Sequence, residues 1–279
     1  MLPRQRSAFD VRCSKFPAHP SMNKIFAVSA VVIKELYRRK DFYVLFLLTA
    51  AITIVMWLMN FFHDAQIIRF IKEVCLLLIW ISAIAIAVTT TARQIPVERE
   101  SRTIFPLLAK PIARWQVMLG KFVGCWLATG FALFVFYLFF GLVSASRDHT
   151  LPVLAYFQAF WLFWQMLGII IAMTLFGSVV LSAPSASMTI IFIITVGILC
   201  LGGFLHKVAV GMTEPSASIV TAIYFVIPHL ELFNMNDLIV HDWPIVPWLD
   251  VLIATIYGLA YTVFFLVGAC LVFRQKALN

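Results

Sequence analysis

The chain has 279 residues, of which 62% are hydrophobic and 12% charged, and it carries a net charge of +8. A soluble domain is roughly 45–50% apolar and about 25% charged, so this apolar surface exceeds what one globular core can bury, and an all-α integral membrane fold is expected. The basic excess is confined to a few loops between apolar runs. That placement makes nucleic-acid binding a weak explanation of the charge and membrane orientation the better one.

Residues 1–21 contain Arg4, Arg6, Arg12 and Lys15 but no apolar run of the signal-peptide kind. They are expected to form a disordered extension, or an untranslated one, because Met22 opens a plausible start. Residues 23–41 follow with Ile25, Val28, Val32 and Leu36 at helical spacing and Lys24, Lys34, Glu35, Arg38 and Arg39 mostly elsewhere. This pattern predicts an amphipathic helix lying on the inner membrane surface and turning into the first span.

Six apolar runs long enough to cross a bilayer come next, at about 43–62, 74–92, 122–145, 153–181, 188–205 and 249–273. Asp250, at the edge of the sixth, is the one charged residue in them. Lys and Arg number 17 in the N-terminal segment, the second and fourth loops and the C-terminal tail, against 4 in the other loops. The basic side faces the cytoplasm, which places both termini there. Cys75, Cys125, Cys200 and Cys270 fall within apolar segments and read as small apolar residues rather than ligands. Gly120 and Gly124 form a small-xxx-small pair at the start of the third span, a frequent pattern that carries little weight alone.

The longest cytoplasmic loop, 93–121, contains Pro96, which suits the first turn of a helix, then Glu98, Arg99, Glu100 and Arg102, then the breakers Pro106 and Pro111. It predicts a short charged helix, a turn and re-entry into the third span. On physical grounds alone, a solvated loop that only sets orientation explains the same charges.

Three stretches of this loop carry a resemblance. Glu98-Arg99-Glu100-Ser101-Arg102-Thr103, then Leu107-Leu108-Ala109-Lys110-Pro111-Ile112-Ala113-Arg114, then Leu119-Gly120-Lys121 resemble the first cytoplasmic loop of type-2 ABC transporter permeases. Those permeases typically read Glu-Arg-Glu-x-Gly-Thr, Leu-Leu-Ala-x-Pro-x-x-Arg and Leu-Gly-Lys there. Arg102 departs from the usual Gly, so an ordinary helical residue is expected in place of a tight turn. The wider layout over 22–279 is similar too, including an apolar stretch at 216–227, too short to span, that matches the family's re-entrant element.

The resemblance implies a permease domain over 22–279, part of an ATP-driven transporter and of exporter type, in the bacterial inner membrane. It implies a connecting helix carrying Lys34, Glu35, Arg38 and Arg39. It also implies a coupling helix over 97–103 that meets a separate cytoplasmic ATP-binding-cassette subunit through Glu98, Arg99, Glu100, Arg102 and Thr103. A second permease, identical or different, would complete the transporter, and lipid would surround it. The chain has no Gly-x-x-x-x-Gly-Lys-[Ser/Thr] phosphate loop, so ATP and Mg²⁺ are expected on the partner, with no cofactor or metal on this chain and no catalytic residue.

Two further groups have weaker readings. Gln158 and Gln165, seven apart on the fourth span, share a face and either line a path or hydrogen-bond a neighbouring helix. His206, His229, Glu231, Asp237, His241 and Asp242 cluster in the last outer loop at spacings that match no familiar metal site. The alternatives to a transporter permease are a permease-like subunit that does not transport, an ion-coupled carrier, and an intramembrane enzyme. The carrier is disfavoured because the spans lack the buried ionisable residues that relay ions.

Overall fold

A computed structural model describes residues 21–38, 43, 46, 47, 49–51, 53, 54, 65–100, 113–148, 152–181, 183–211, 227–241 and 243–275. The described residues are helical throughout, apart from short connections. The helices are α1 (Ser21–Arg38), α2 (Ala65–Ala92), α3 (Pro96–Glu100), α4 (Arg114–Asp148), α5 (Val153–Val180), α6 (Pro184–Gly211), α7 (Asn236–Val240) and α8 (Trp248–Gln275), with a 3-10 turn at Leu230–Phe233. Proline marks many of the starts. Pro96 and Pro184 open α3 and α6, while Pro152 and Pro247 stand immediately before α5 and α8. Its fixed φ suits a first turn, and its missing N–H would have had no partner there.

Among the described residues, four helices are long and apolar enough to cross a membrane, within 72–98, 114–145, 153–180 and 248–275, and 184–200 adds a shorter apolar one. The protein is therefore a multi-pass, all-α membrane protein. Of the first predicted span, only eight residues are described. These are helical, with Phe46 packed on Phe136 of α4 at 5.4 Å between ring centroids and Thr49 Oγ1 3.1 Å from Ser82 Oγ of α2. The predicted re-entrant stretch at 216–227 lies outside the described residues except for its last, Ile227.

The bundle is built around α5, which is apolar on all sides and buried along most of its length. A helix without a polar face belongs inside a bundle. It packs against α2, α4, α6 and α8. Close approach to α6 is possible because Gly177 is bare: a Cβ there would lie 2.7 Å from Ile191 Cδ1. Towards α4, Trp126 and Trp164 stack at 4.4 Å, and each indole N–H donates to the other residue's backbone carbonyl, at 3.2 and 3.0 Å. Several hydroxyls inside the spans find local partners. Thr90, Thr129, Thr174, Thr195 and Thr262 each donate to the carbonyl four residues back, which satisfies a polar group where no water is at hand.

Residues 230–240 are packed onto the bundle. Leu230, Phe233, Leu238, Ile239 and Val240 are buried, so the 3-10 turn and α7 form a cap on α2, α5 and α6. The outward faces of α6 and α8 are apolar and exposed, with Ile190, Ile193, Leu252, Ile256, Val263 and Phe264 among them, as helices facing hydrocarbon require.

Candidate functional site: the short helix and its supports

The sequence singled out the loop between α2 and α4, and there α4 extends beyond its apolar run. α4 begins at Arg114, eight residues before the predicted span. At 1.5 Å per residue its 35 residues reach about 52 Å, against roughly 30 Å of hydrocarbon. The added turns carry Arg114, Gly120 and Lys121. α2 ends at Ala92, residues 93–95 turn, and Pro96 starts α3. The turn is closed by Gln94 N–H donating to the Thr91 carbonyl (3.1 Å) and Val97 N–H donating to the Arg93 carbonyl (3.2 Å).

Lys121 holds α3 against α4. Its side chain is 2% exposed and its ammonium lies 2.6 Å from Glu98 Oε2 and donates to the Gln94 carbonyl at 2.8 Å. A lysine this deep survives as a charge only when paired and hydrogen-bonded, and here both partners come from the same short segment. Glu98, 30% exposed on its side chain, keeps part of its surface outward. Thr91 Oγ1 at the end of α2 and Gln94 Nε2 in the turn are buried without a hydrogen-bond partner.

The amphipathic helix joins the same region. The stripe read from the sequence as membrane-facing instead packs on α4: Val28 and Val32 meet Gly120 and Gly124, where a Cβ would lie 2.7 and 2.8 Å from the valine Cβ atoms. Ser29 Oγ hydrogen-bonds the Gly120 carbonyl at 2.9 Å. The small-xxx-small pair is thus the seat of α1. Phe26, Val31 and Ile33 point away from α4 and are exposed. Lys34 is exposed and Glu35 half-buried; Arg38 is the last residue of α1, and Arg39 lies outside the described residues.

Arg114 makes a third connection. Its guanidinium donates to the carbonyls of Phe273 (3.0 Å) and Arg274 (3.2 Å) and lies over the Phe273 ring. A cation there satisfies the unpaired carbonyls and the negative end of α8.

Of the predicted coupling residues, Glu98, Arg99 and Glu100 lie in α3, and Glu98 is the one whose side chain is described; Arg102 and Thr103 lie outside the described residues. Sequence reasoning missed Lys121 as a partner and Arg114 as a cap, although both lie in the stretches that carried the resemblance. Their spacing from Glu98 and from residues 273–274 has no local periodicity to signal contact.

Gln158 and Gln165 are buried on one face of α5, as their spacing predicts. Gln158 donates to the Val246 carbonyl at 2.9 Å, and its Oε1 has no partner; Gln165 sits against Gly258 of α8. His229 meets Tyr257, whose hydroxyl accepts from the His229 backbone N–H at 2.9 Å and lies 3.1 Å from Nδ1. Among the described residues, no three His, Cys, Asp or Glu come together as a metal site.

Residues 51–278 match the family described as ABC-2 family transporter protein. No curated protein matches the sequence. The match spans most of the chain and takes in α2 to α8, including the short helix and its Lys121 and Arg114 supports: the chain belongs to the ABC-2 transporter family.

Proposed function

We propose that the chain is the permease subunit of an ATP-driven exporter, with six spans, both termini in the cytoplasm and a seat in the bacterial inner membrane. A separate ATP-binding-cassette subunit docks on the loop 93–121, and a second permease, identical or related, completes the translocation path. Permeases of this family normally work with such a subunit. The observation that carries the reading is α3: a short charged helix held outside the span of α4 by a buried ion pair in a chain of this family.

Closure of the ATPase dimer pushes on α3, and the bundle switches access. Glu98, Arg99, Glu100, Arg102 and Thr103 form the contact, and charges on such a surface set register and partner choice more than affinity. Lys34, Glu35, Arg38 and Arg39 belong to the connecting helix beside it. ATP and Mg²⁺ are bound by the partner. The test is gentle solubilisation of the tagged chain from its host, followed by mass spectrometry of what co-purifies. An ATP-binding-cassette subunit near 1:1 is expected. Its absence beside an intact permease overturns the reading, while its presence without substrate movement in proteoliposomes favours a subunit that transmits force without transporting.

A further inference from the structure

We infer that Lys121 is the positioning residue of the coupling helix, locking α3, α4 and α1 into one body that receives the partner's push. The inference rests on the permease reading above and adds a force path to it. Three observations converge on the first turns of α4. Lys121, buried, holds Glu98 and the Gln94 carbonyl of the short helix and its entry turn. The preceding residue, Gly120, takes Val28 of α1 and accepts a hydrogen bond from Ser29. One turn further, Gly124 takes Val32.

The short helix is thus bonded laterally to α4, and α4 to α1. The entry turn 93–95 that joins it to α2 is held by the same ammonium through the Gln94 carbonyl and is closed by two backbone hydrogen bonds. Breaking a buried pair by removing one partner is costly, so the pair fixes the segment in place. A push on α3 is therefore carried laterally into α4 and, through Gly120 and Gly124, into α1. A five-residue helix has no stability of its own, so its position depends on this clamp.

The test is a double-mutant cycle on the full-length permease in nanodiscs, with Lys121→Met, Glu98→Gln and the pair, read by hydrogen exchange of the backbone amides of 97–100. Lys121→Met keeps the stem and removes the buried ammonium that Glu98 and the Gln94 carbonyl share, so exchange there rises ~10-fold or more. The double variant loses less than the sum of the two single changes, because both remove the same pair. Lys121→Arg retains protection if it folds. Additive effects, or unchanged exchange in a folded Lys121→Met protein, overturn the clamp.

The consequence is read on the co-purified complex as the ratio of ATP hydrolysis with and without the permease. Lys121→Met lowers that ratio several-fold, and Lys121→Arg restores it. A broken clamp with an unaltered ratio overturns the positioning role. A wild-type chain that recruits no ATPase overturns the permease reading instead, and the exchange cycle still decides the clamp.

Discussion

Single atoms set the limits at Gly120. A Cβ there would lie 2.7 Å from Val28 Cβ and 3.1 Å from the Ile25 carbonyl, so even alanine requires a shift, and leucine requires α1 to leave. Gly120→Leu is expected to lower stability by about 1–3 kcal/mol, the usual cost of overpacking, and to expose α1 to protease in detergent; Gly120→Ala falls between it and the wild type. A leucine variant with wild-type melting would show that α1 does not sit on this face. Gln158 makes the opposite case. Gln158→Leu loses one hydrogen bond to the Val246 carbonyl but also removes an unpartnered buried oxygen. The two nearly cancel, and a change under about 1 kcal/mol is expected. Altered transport at unaltered melting temperature would mark Gln158 as lining the path.

Helix pairs carry the next level of organisation. The Trp126–Trp164 pair couples α4 to α5 by stacking and by two crossed N–H bonds. Trp126→Phe and Trp164→Phe keep the rings and remove one bond each. Their double-mutant cycle is expected to show a coupling of about 0.5–1.5 kcal/mol, measured by denaturation in mixed micelles; strict additivity would mean that the two rings contribute independently. Arg114 ties the start of α4 to the end of α8. Arg114→Met is expected to cost about 1 kcal/mol once solvent screening of its more exposed bond is allowed for, with faster hydrogen exchange confined to the last turn, 270–275. Uniform protection in that turn would show that α8 ends without help. In both pairs, an aromatic ring and a satisfied polar group meet across the helix contact. Helices in lipid are held together by this kind of fit because the solvent offers no hydrophobic drive to associate.

For the whole molecule, the proposed orientation makes a direct prediction. A single cysteine placed at Asn23 or at Asn279 in an otherwise cysteine-free chain is expected to react with a membrane-impermeant maleimide only after cells are opened, and one at Asp237 is expected to react before. Reaction of a terminal probe in intact cells would reverse the topology.

Much of this arrangement was legible from composition and periodicity: membrane class, helical fold, the close limits of α5 and α8, and a short charged helix opened by Pro96. These are local properties, because lipid demands long apolar runs with their backbone groups satisfied within the helix, and proline acts on its own turn. The family, too, was legible in three short stretches of one loop. The partners of those stretches were not. That Lys121 pairs with Glu98, that Arg114 caps residues 273–274, that the Gly120 and Gly124 pair seats α1, and that residues 230–240 fold back as a cap depend on residues distant in sequence meeting at a fixed depth in the bundle. Only the tertiary packing sets those distances, because a glycine or a buried lysine reads the same in sequence whichever helix lies opposite it.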